Sequence, residues 1–167
     1  MKSLIVLTGM MGCGKTTAGE LLAKKIGYDF IDIDKELEKS ENMTVTNIFN
    51  EFGEQYFRKI EKLKIFEFTS HKNLVMALGG GAFEDEETRK ILKKYGIVIY
   101  LKATPGCIFQ RIKSEIHRPL LHKNFSVDSI AFILKKRAGN YEKAQFTVDT
   151  CDKTPDEVVN KIMRVIK

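Results

Sequence analysis

Five short apolar runs divide the chain, and the segments between them carry apolar residues at intervals of three or four. The runs cover residues 4–7, 28–33, 74–78, 97–101 and 146–149. Their length and content are typical of strands, and the first, Leu-Ile-Val-Leu, has no polar residue, as in strands buried on both faces of a parallel sheet. Strands that alternate with helical patterns predict an α/β fold built on a parallel sheet.

Helix start signals mark the segments between the strands. Asp85, Thr104, Ser126 and Thr154 have side chains suited to an N-cap, and proline directly follows two of them. With the apolar spacing, these signals predict helices after residue 16, from 35, after 44 or 46, over 54–69, 85–95, 105–113 and 126–143, and from 155. Residues 113–125 lack this periodicity, which is typical of a long loop and makes them a candidate lid.

A glycine-rich stretch, residues 9–16, lies between the first strand and the first helix and reads Gly-Met-Met-Gly-Cys-Gly-Lys-Thr. It matches the phosphate-binding loop pattern, whose glycines let backbone N–H groups surround a phosphate at a helix N-terminus. The alternative is a glycine-rich turn with a surface lysine. We expect Lys15 to reach the outer phosphates of ATP and the Thr16 hydroxyl to bind Mg²⁺. The other expected nucleotide contacts are Gly12, Cys13, Gly14 and Thr17.

Length and composition fit one globular domain. The 167 residues can bury one complete core but not two, so we expect a single domain over residues 1–167. The chain is 43% hydrophobic and 30% charged, and it has no apolar run long enough to span a bilayer. Three scattered cysteines argue against a disulfide framework and favour a cytoplasmic protein.

A net charge of +6 raises the question of nucleic-acid binding. The basic residues are interspersed with glutamates, as in residues 35–39, and no block of five or more basic residues occurs. The simpler interpretation is a solvated surface whose positive field attracts small anions, so we expect no nucleic-acid partner. The competing hypothesis is a regulatory or nucleic-acid-binding protein that uses ATP only as a ligand.

Two carboxylates are candidates for the chemistry that phosphoryl transfer requires. Asp32 and Asp34 lie two apart at the expected end of the second strand, so both would point into the crevice where α/β proteins bind ligands. One could bind Mg²⁺ through water, and the other could accept a hydrogen bond from a substrate hydroxyl. Alternatively, they are surface carboxylates or a helix cap.

Three arginines are further candidates. Arg58 and Glu61 are three apart on a predicted helix and share a face, where a surface ion pair is the default interpretation. Arg118 lies in the irregular segment, and an arginine on a closing loop can approach the γ-phosphate. For Arg137, the pattern does not distinguish a functional arginine from one that belongs to a solvated basic helix face. The three histidines lack metal-ligand spacing and are expected at the surface.

Two absences from the sequence narrow the class of enzyme. The chain lacks the Asn-Lys-x-Asp motif by which a GTPase specifies guanine. The strand at 74–78 ends in Gly79, Gly80 and Gly81, whereas a typical phosphate-loop ATPase has an aspartate at the end of a second core strand. Both observations favour a small-molecule kinase.

Six motifs, taken in order, resemble those of the shikimate kinase family, a part of the nucleoside-monophosphate-kinase group. They lie at 9–17, 30–34 (Phe-Ile-Asp-Ile-Asp), 52–61 (Phe-Gly-Glu-Gln-Tyr-Phe-Arg-Lys-Ile-Glu), 79–81, 118–121 (Arg-Pro-Leu-Leu) and 136–141 (Lys-Arg-Ala-Gly-Asn-Tyr). The resemblance implies a five-stranded parallel sheet of order 2-3-1-4-5 flanked by helices, with a lid and a substrate-binding segment at about 34–62. It also implies ATP-dependent phosphorylation of the 3-hydroxyl of shikimate, a step of aromatic amino acid biosynthesis. We expect a monomer whose partners are these two small molecules.

The resemblance implies a shikimate site made of five parts. Asp34 would hold the hydroxyl that is phosphorylated, and Arg58 and Arg137 would bind the carboxylate. A guanidinium fork matches a carboxylate at two points, which lysine does not. Glu61 would hold Arg58 in place, and the glycines at 79–81 would let the ring lie against the backbone.

The resemblance also implies the nucleotide and metal contacts. Asp32 would join the Mg²⁺ shell, Arg118 would act with Lys15 on the transferred phosphoryl group, and Arg111 and Pro155 would enclose the adenine. Family members often have Ser or Thr directly before the glycines, where this chain has Leu78. The nearest rival is a kinase for another small polyol acid, such as gluconate, or for a nucleoside monophosphate, whose phosphate would also suit two arginines.

Overall fold

A computed structural model describes residues 3–114 and 126–166 of the chain. Its strands are β1 (Leu4–Thr8), β2 (Asp29–Asp32), β3 (Leu74–Ala77), β4 (Ile97–Lys102) and β5 (Phe146–Asp149). Its helices are α1 (Lys15–Ile26), α2 (Ile33–Glu41), α3 (Val45–Phe68), α4 (Glu86–Tyr95), α5 (Pro105–Ser114), α6 (Val127–Tyr141) and α7 (Pro155–Val165), with a 3₁₀ turn at Ala82–Glu84.

The strands form one sheet of order β2-β3-β1-β4-β5, and all four pairings are parallel. This confirms the predicted fold class and strand order. All five residues of β1 and all four of β3 are buried, as the apolar runs predict for inner strands of a parallel sheet. Leu7 pairs with Ala77, so β1 and β3 end side by side. The loop after β1 and the glycines after β3 therefore lie at the same edge of the sheet.

The second strand is shorter than predicted. β2 ends at Asp32, and α2 begins at Ile33 rather than at Lys35. The reason is a helix cap, since a carboxylate oxygen of Asp32 accepts a hydrogen bond from the N–H of Asp34 at 3.1 Å. Asp34 is therefore in the first turn of α2, and the prediction that both aspartates belong to the strand end was wrong.

Helix α3 is interrupted where two separate helices are predicted. Gly53 has φ 81° and ψ 171°, a conformation that is almost restricted to glycine. The segment before it begins after Thr44, whose side chain accepts a hydrogen bond from the N–H of Asn47. The longer half after Gly53 carries Arg58 and Glu61 toward the glycine-rich edge of the sheet.

The other predicted caps are confirmed. The Asp85 carboxylate accepts a hydrogen bond from the N–H of Thr88 at 2.8 Å, and Ser126 caps α6. Thr154 and Glu157 form the predicted reciprocal capping box at the start of α7. Residues 115–125, which make up most of the predicted lid and include Arg118, lie outside the part of the chain that the structure describes.

Candidate active site

The phosphate loop (residues 9–16) joins β1 to α1. Gly9, Gly12 and Gly14 have φ of 146°, 73° and 96°, so the loop uses glycine where other residues would be strained. Lys15 is the first residue of α1, and its ammonium group donates hydrogen bonds to the carbonyl oxygens of Gly9, at 2.8 Å, and Met10, at 3.1 Å. The lysine is thus held across the loop whose N–H groups would surround a phosphate.

A hydroxyl and a carboxylate meet beside this loop. The Thr16 hydroxyl donates a hydrogen bond to a carboxylate oxygen of Asp32 at 2.7 Å. Thr16 is in the first turn of α1 and Asp32 is the last residue of β2, so both oxygens lie near the helix N-terminus where the phosphate groups of a nucleotide would bind. Magnesium ions prefer oxygen ligands and keep part of their water shell, so two protein oxygens together with phosphates fit such an ion.

The triple glycine (Gly79, Gly80 and Gly81) is the point where the remaining site residues converge. A Cβ atom built on Gly79 would lie 2.5 Å from Oε1 of Glu61 and 2.7 Å from Oδ1 of Asp34. Both distances are shorter than nonbonded atoms allow. The absence of a side chain at Gly79 is therefore what allows the two carboxylates to approach the backbone.

The next two glycines face the arginines. A Cβ atom on Gly81 would collide with the Arg58 guanidinium, and one on Gly80 would lie 3.6 Å from Nη1 of Arg137. That Cβ on Gly80 would also lie 3.6 Å from the backbone N of Met11 in the phosphate loop. Carboxylates, guanidinium groups and the phosphate loop therefore surround three consecutive backbone units.

The Arg58–Glu61 pair is not the exposed ion pair that spacing alone suggests. Nη1 of Arg58 donates to Oε2 of Glu61 at 2.6 Å, and the Glu61 side chain is only 2% exposed. Arg58 also lies 5.2 Å from the ring centre of Phe57, a distance at which the ring face attracts a cation. These contacts fix the direction of the Arg58 guanidinium toward Gly81.

The two carboxylates near Gly79 have raised pKa values. Burial raises the pKa of Glu61 to about 7, although the Arg58 guanidinium opposes this. Burial, and then the charge of Asp32, raise the pKa of Asp34. Oε1 of Glu61 has no hydrogen-bond partner within the described parts of the chain. Next to Gly79, Asp34 and Glu61 therefore both have an increased affinity for protons, and one oxygen of Glu61 has no hydrogen-bond partner in the described structure.

A cavity of about 580 Å³ opens on the arginine side of the triple glycine. Arg58, Glu61, Gly81 and Arg137 are among the residues that line it, and α4 contributes Thr88. This volume accommodates a small organic molecule. The lining also includes four carboxylates, of Glu54, Glu61, Glu84 and Asp85. Its two guanidinium groups, of Arg58 and Arg137, are the groups that suit a ligand with a carboxylate or a phosphate.

Arg111 connects the phosphate loop to the residue after β5. Its Nη1 donates to the carbonyl oxygen of Cys13 at 3.2 Å and to the hydroxyl of Thr150 at 3.0 Å, and its Nη2 donates to the carbonyl oxygen of Thr150. Pro155 is the first residue of α7 and is exposed. Arg111 thus lies beside the phosphate loop, where the resemblance implies a nucleotide contact.

Comparisons with known proteins show to which family the chain belongs. The family model for shikimate kinase matches residues 11–167. The chain belongs to the shikimate kinase family. It is 45% identical over 160 residues to the shikimate kinase of Thermodesulfovibrio yellowstonii, covering 96% of this chain and 92% of that protein. As a member of this family, the chain is a phosphotransferase with ATP as its co-substrate.

Two solved family structures superimpose on nearly the whole chain. Shikimate kinase from Bacteroides thetaiotaomicron has a TM-score of 0.92 at 30% identity, and the match covers 98% of this chain and 97% of that one. Shikimate kinase from Acinetobacter baumannii, in complex with shikimate, has a TM-score of 0.91 at 37% identity over 98% of this chain and 92% of that one.

In the parts of this family member that the structure describes, no helix is long and apolar enough to cross a membrane.

Two site residues were not predicted from the sequence. The Tyr141 hydroxyl donates to the carbonyl oxygen of Gly80, which also accepts from Nη1 of Arg137 at 3.1 Å. Arg137 and Tyr141 are four apart on α6, so their shared helix face was a signal that could have linked them. Thr150, which accepts from Arg111, directly follows a strand, and that position is common for ligand-site residues in α/β folds.

Proposed function

We propose that this chain transfers the γ-phosphoryl group of ATP, bound with Mg²⁺, to the 3-hydroxyl of shikimate, giving shikimate 3-phosphate and ADP. The observation that carries the proposal is the arrangement around the triple glycine. Asp34 and Glu61 lie against Gly79, Arg137 and the phosphate loop lie against Gly80, and Arg58 lies against Gly81. An acid with several hydroxyls, placed over these glycines, meets each group that the transfer requires.

Arg58 and Arg137 bind the carboxylate of the acid in this proposal. They approach the triple glycine from α3 and α6, respectively, and both line the same cavity. A carboxylate between two guanidinium groups receives several charge-assisted hydrogen bonds, which fix its position and its orientation. Glu61 contributes by holding Arg58 through a hydrogen bond of 2.6 Å.

Asp34 orients the reacting hydroxyl. It projects from the first turn of α2 toward Gly79, and its raised pKa gives it a greater affinity for a proton than an exposed aspartate has. As the hydroxyl oxygen attacks the γ-phosphorus in line, the hydroxyl proton moves along its hydrogen bond toward the Asp34 carboxylate. Phosphoryl transfer depends mostly on such positioning and on neutralising charge.

The phosphate loop and two cations bind the transferred group. Lys15 leaves its carbonyl partners at Gly9 and Met10 and interacts with the outer phosphates, with Arg118 as the second cation. Gly12, Cys13, Gly14 and Thr17 complete the phosphate contacts, and Arg111 and Pro155 enclose the adenine. Thr16 and Asp32 would hold Mg²⁺, which neutralises phosphate charge when it is bound. Arg137 and Arg58 stay with the carboxylate and do not take part in the transfer.

The proposal extends to the organisation and the partners of the chain. The chain is one kinase domain over residues 1–167, with a lid at about 113–125 and a substrate-binding segment at about 34–62. It acts on two small molecules as a cytoplasmic monomer, without a nucleic-acid or membrane partner. The structure of the Acinetobacter baumannii relative in complex with shikimate supports the choice of substrate.

A coupled ADP-release assay over shikimate, quinate, gluconate and AMP tests the assignment. We expect kcat/KM to be highest for shikimate, because its carboxylate and 3-hydroxyl would reach Arg58, Arg137 and Asp34 together. Faster turnover of any other acceptor would overturn the choice of substrate. If no acceptor released ADP, and the protein bound DNA or RNA with a strong salt dependence at physiological ionic strength, the kinase assignment itself would fail.

A further inference from the structure

The three carbonyl groups of the triple glycine are held in two different ways. The carbonyl oxygens of Gly79 and Gly81 accept hydrogen bonds, both at 3.1 Å, from N–H groups of the 3₁₀ turn that follows. The Gly80 carbonyl oxygen accepts instead from two side chains of α6, the Tyr141 hydroxyl and Nη1 of Arg137. The local turn therefore holds the outer two carbonyls, and a distant helix holds the middle one.

The direction of the Gly80 carbonyl determines the direction of the N–H group that follows it. Glycine has access to more backbone conformations than other residues, so three glycines in a row do not hold one conformation by themselves. The peptide unit between Gly80 and Gly81 is trans, and the carbonyl and the N–H of a planar trans peptide point in opposite directions. Holding the Gly80 carbonyl toward α6 therefore fixes the direction of the Gly81 N–H. Gly81 lines the cavity, so this N–H is a donor of fixed direction at its edge.

Tyr141 is well placed to hold this carbonyl because its own ring is immobilised. The side chain is fully buried and stacks on Tyr100 of β4, with ring centres 5.1 Å apart and ring planes 22° apart. Tyr100 pairs with Thr8 at the end of β1, so the stack is anchored to the central part of the sheet. Burial raises the pKa of Tyr141 above its ordinary value, so the hydroxyl keeps its proton at neutral pH and remains a donor.

The same carbonyl connects Tyr141 to Arg137. The two residues are four apart on α6 and therefore lie on one face of the helix. A carbonyl oxygen can accept from two donors at once, and a guanidinium group has several N–H donors. Arg137 can therefore donate to Gly80 at 3.1 Å and still present other N–H groups to a ligand in the cavity that it lines.

We propose that Tyr141 is a positioning residue for the acid substrate. Its hydroxyl holds the Gly80 carbonyl, and through that carbonyl it holds the Gly81 N–H and the Arg137 guanidinium in the orientation that binds the acid. This inference rests on the proposed function, which places the acid over the triple glycine. Because Tyr141 is fully buried, it acts through these neighbours and not by contact with the substrate.

Steady-state ADP release by Tyr141→Phe tests the inference, because the substitution removes the hydroxyl and keeps the stacked ring. We expect the KM for shikimate to rise by about 3- to 10-fold, as for the loss of one hydrogen bond. The kcat and the KM for ATP should stay within about twofold of wild type, because the groups that Tyr141 holds bind the acid in the proposed function. Calorimetric titration with shikimate alone should give a Kd raised by the same factor as the KM.

Tyr100→Phe is the matched control, since it removes the hydroxyl from the other ring of the same buried stack. It should keep the wild-type KM and Kd for shikimate. Melting temperatures of both variants report whether they fold.

Three results would overturn the positioning role of Tyr141. One is a folded Tyr141→Phe protein with wild-type KM and Kd for shikimate. The second is a loss that falls equally on kcat and on both KM values, or equally on both phenylalanine variants, since a merely structural role predicts this. The third is a Tyr141→Phe protein that does not fold, which has the same meaning. A wild type that does not phosphorylate shikimate would overturn the proposed function as well, whereas with an active wild type these results bear on Tyr141 alone.

Discussion

Adding one methyl group at Gly79 tests whether close approach to the backbone builds the substrate site. Gly79→Ala would place a Cβ atom 2.5 Å from Oε1 of Glu61 and 2.7 Å from Oδ1 of Asp34. Favourable nonbonded contact begins at about 3.5 Å, so each carboxylate must move by roughly 1 Å. The backbone at Gly79 does not have a positive φ, so the substitution acts through this contact and not through backbone strain.

The expected loss of activity in Gly79→Ala follows from the free-energy cost of overpacking. An extra methyl group in a well-packed site typically costs about 1 to 3 kcal/mol. If that cost falls on the bound transition state, kcat/KM for shikimate decreases by about 5- to 150-fold. We expect both a lower kcat and a higher KM for shikimate, because Asp34 and the Glu61 partner of Arg58 are displaced. The KM for ATP should change by less than about threefold, since the atoms nearest to the new methyl group belong to Glu61 and Asp34 and not to the phosphate loop.

Steady-state ADP release, with each substrate varied at a saturating concentration of the other, measures these constants. Gly139→Ala is the matched control, because a Cβ atom on Gly139 has no neighbour within 4 Å although that residue is close to Arg137 on α6. The control should keep wild-type kinetics and gain slight stability from the better helix former. A folded Gly79→Ala protein with wild-type constants for shikimate would refute the proposed substrate position.

Four further predictions address the other parts of the protein. The folded-state pKa of Glu61, about 7, is above its ordinary 4.5, so the folded protein binds an extra proton between these values. The unfolding free energy, measured by urea titration, should therefore decrease as the pH rises from 4.5 to 7.5. The decrease should be roughly 2 to 3 kcal/mol larger in wild type than in Glu61→Gln, and an equal decrease in both proteins would contradict this. Arg58→Lys should raise the KM for shikimate by about 10- to 100-fold and the KM for ATP much less, because the two-point fork is lost; equal effects would make Arg58 structural. Arg118→Ala should lower kcat by about 10² to 10⁴ if it stabilises transition-state charge, and unchanged turnover would exclude it from the chemistry. Thr154→Ala should lower the melting temperature by roughly 2 to 4 °C through loss of the α7 cap, as measured by calorimetry; an unchanged melting temperature would contradict this.

Features set by neighbouring residues were predictable from the sequence. The phosphate loop, the N-caps and the inner strands each depend on side chains within a few positions, and the structure confirms the apolar runs as strands. The second strand shows where local signals compete. Both Asp32 and Asp34 fit either a strand end or a helix start. In the structure Asp32 ends β2 and caps α2, and its hydrogen bond from the N–H of Asp34 places Asp34 in the helix. Apolar periodicity does not report that bond.

The candidate site was predictable only in part because its members come from separate elements. A run of three glycines indicates that something approaches the backbone, but it does not say which side chains do. Asp34 reaches the glycines because α2 follows β2, and β2 pairs with β3 so that Asp32 lies opposite Ala77. Glu61 from α3 and Arg137 from α6 approach the same three glycines from helices that are distant in the sequence. The burial of Glu61 has the same origin. From the sequence, a glutamate three residues after an arginine on a helix is expected to form an exposed ion pair, but here the packing of α3 beside the triple glycine buries the glutamate. The chemistry of the site therefore depends on strand order. A side chain at Gly79 should displace Asp34 and Glu61, and one at Gly81 should displace Arg58.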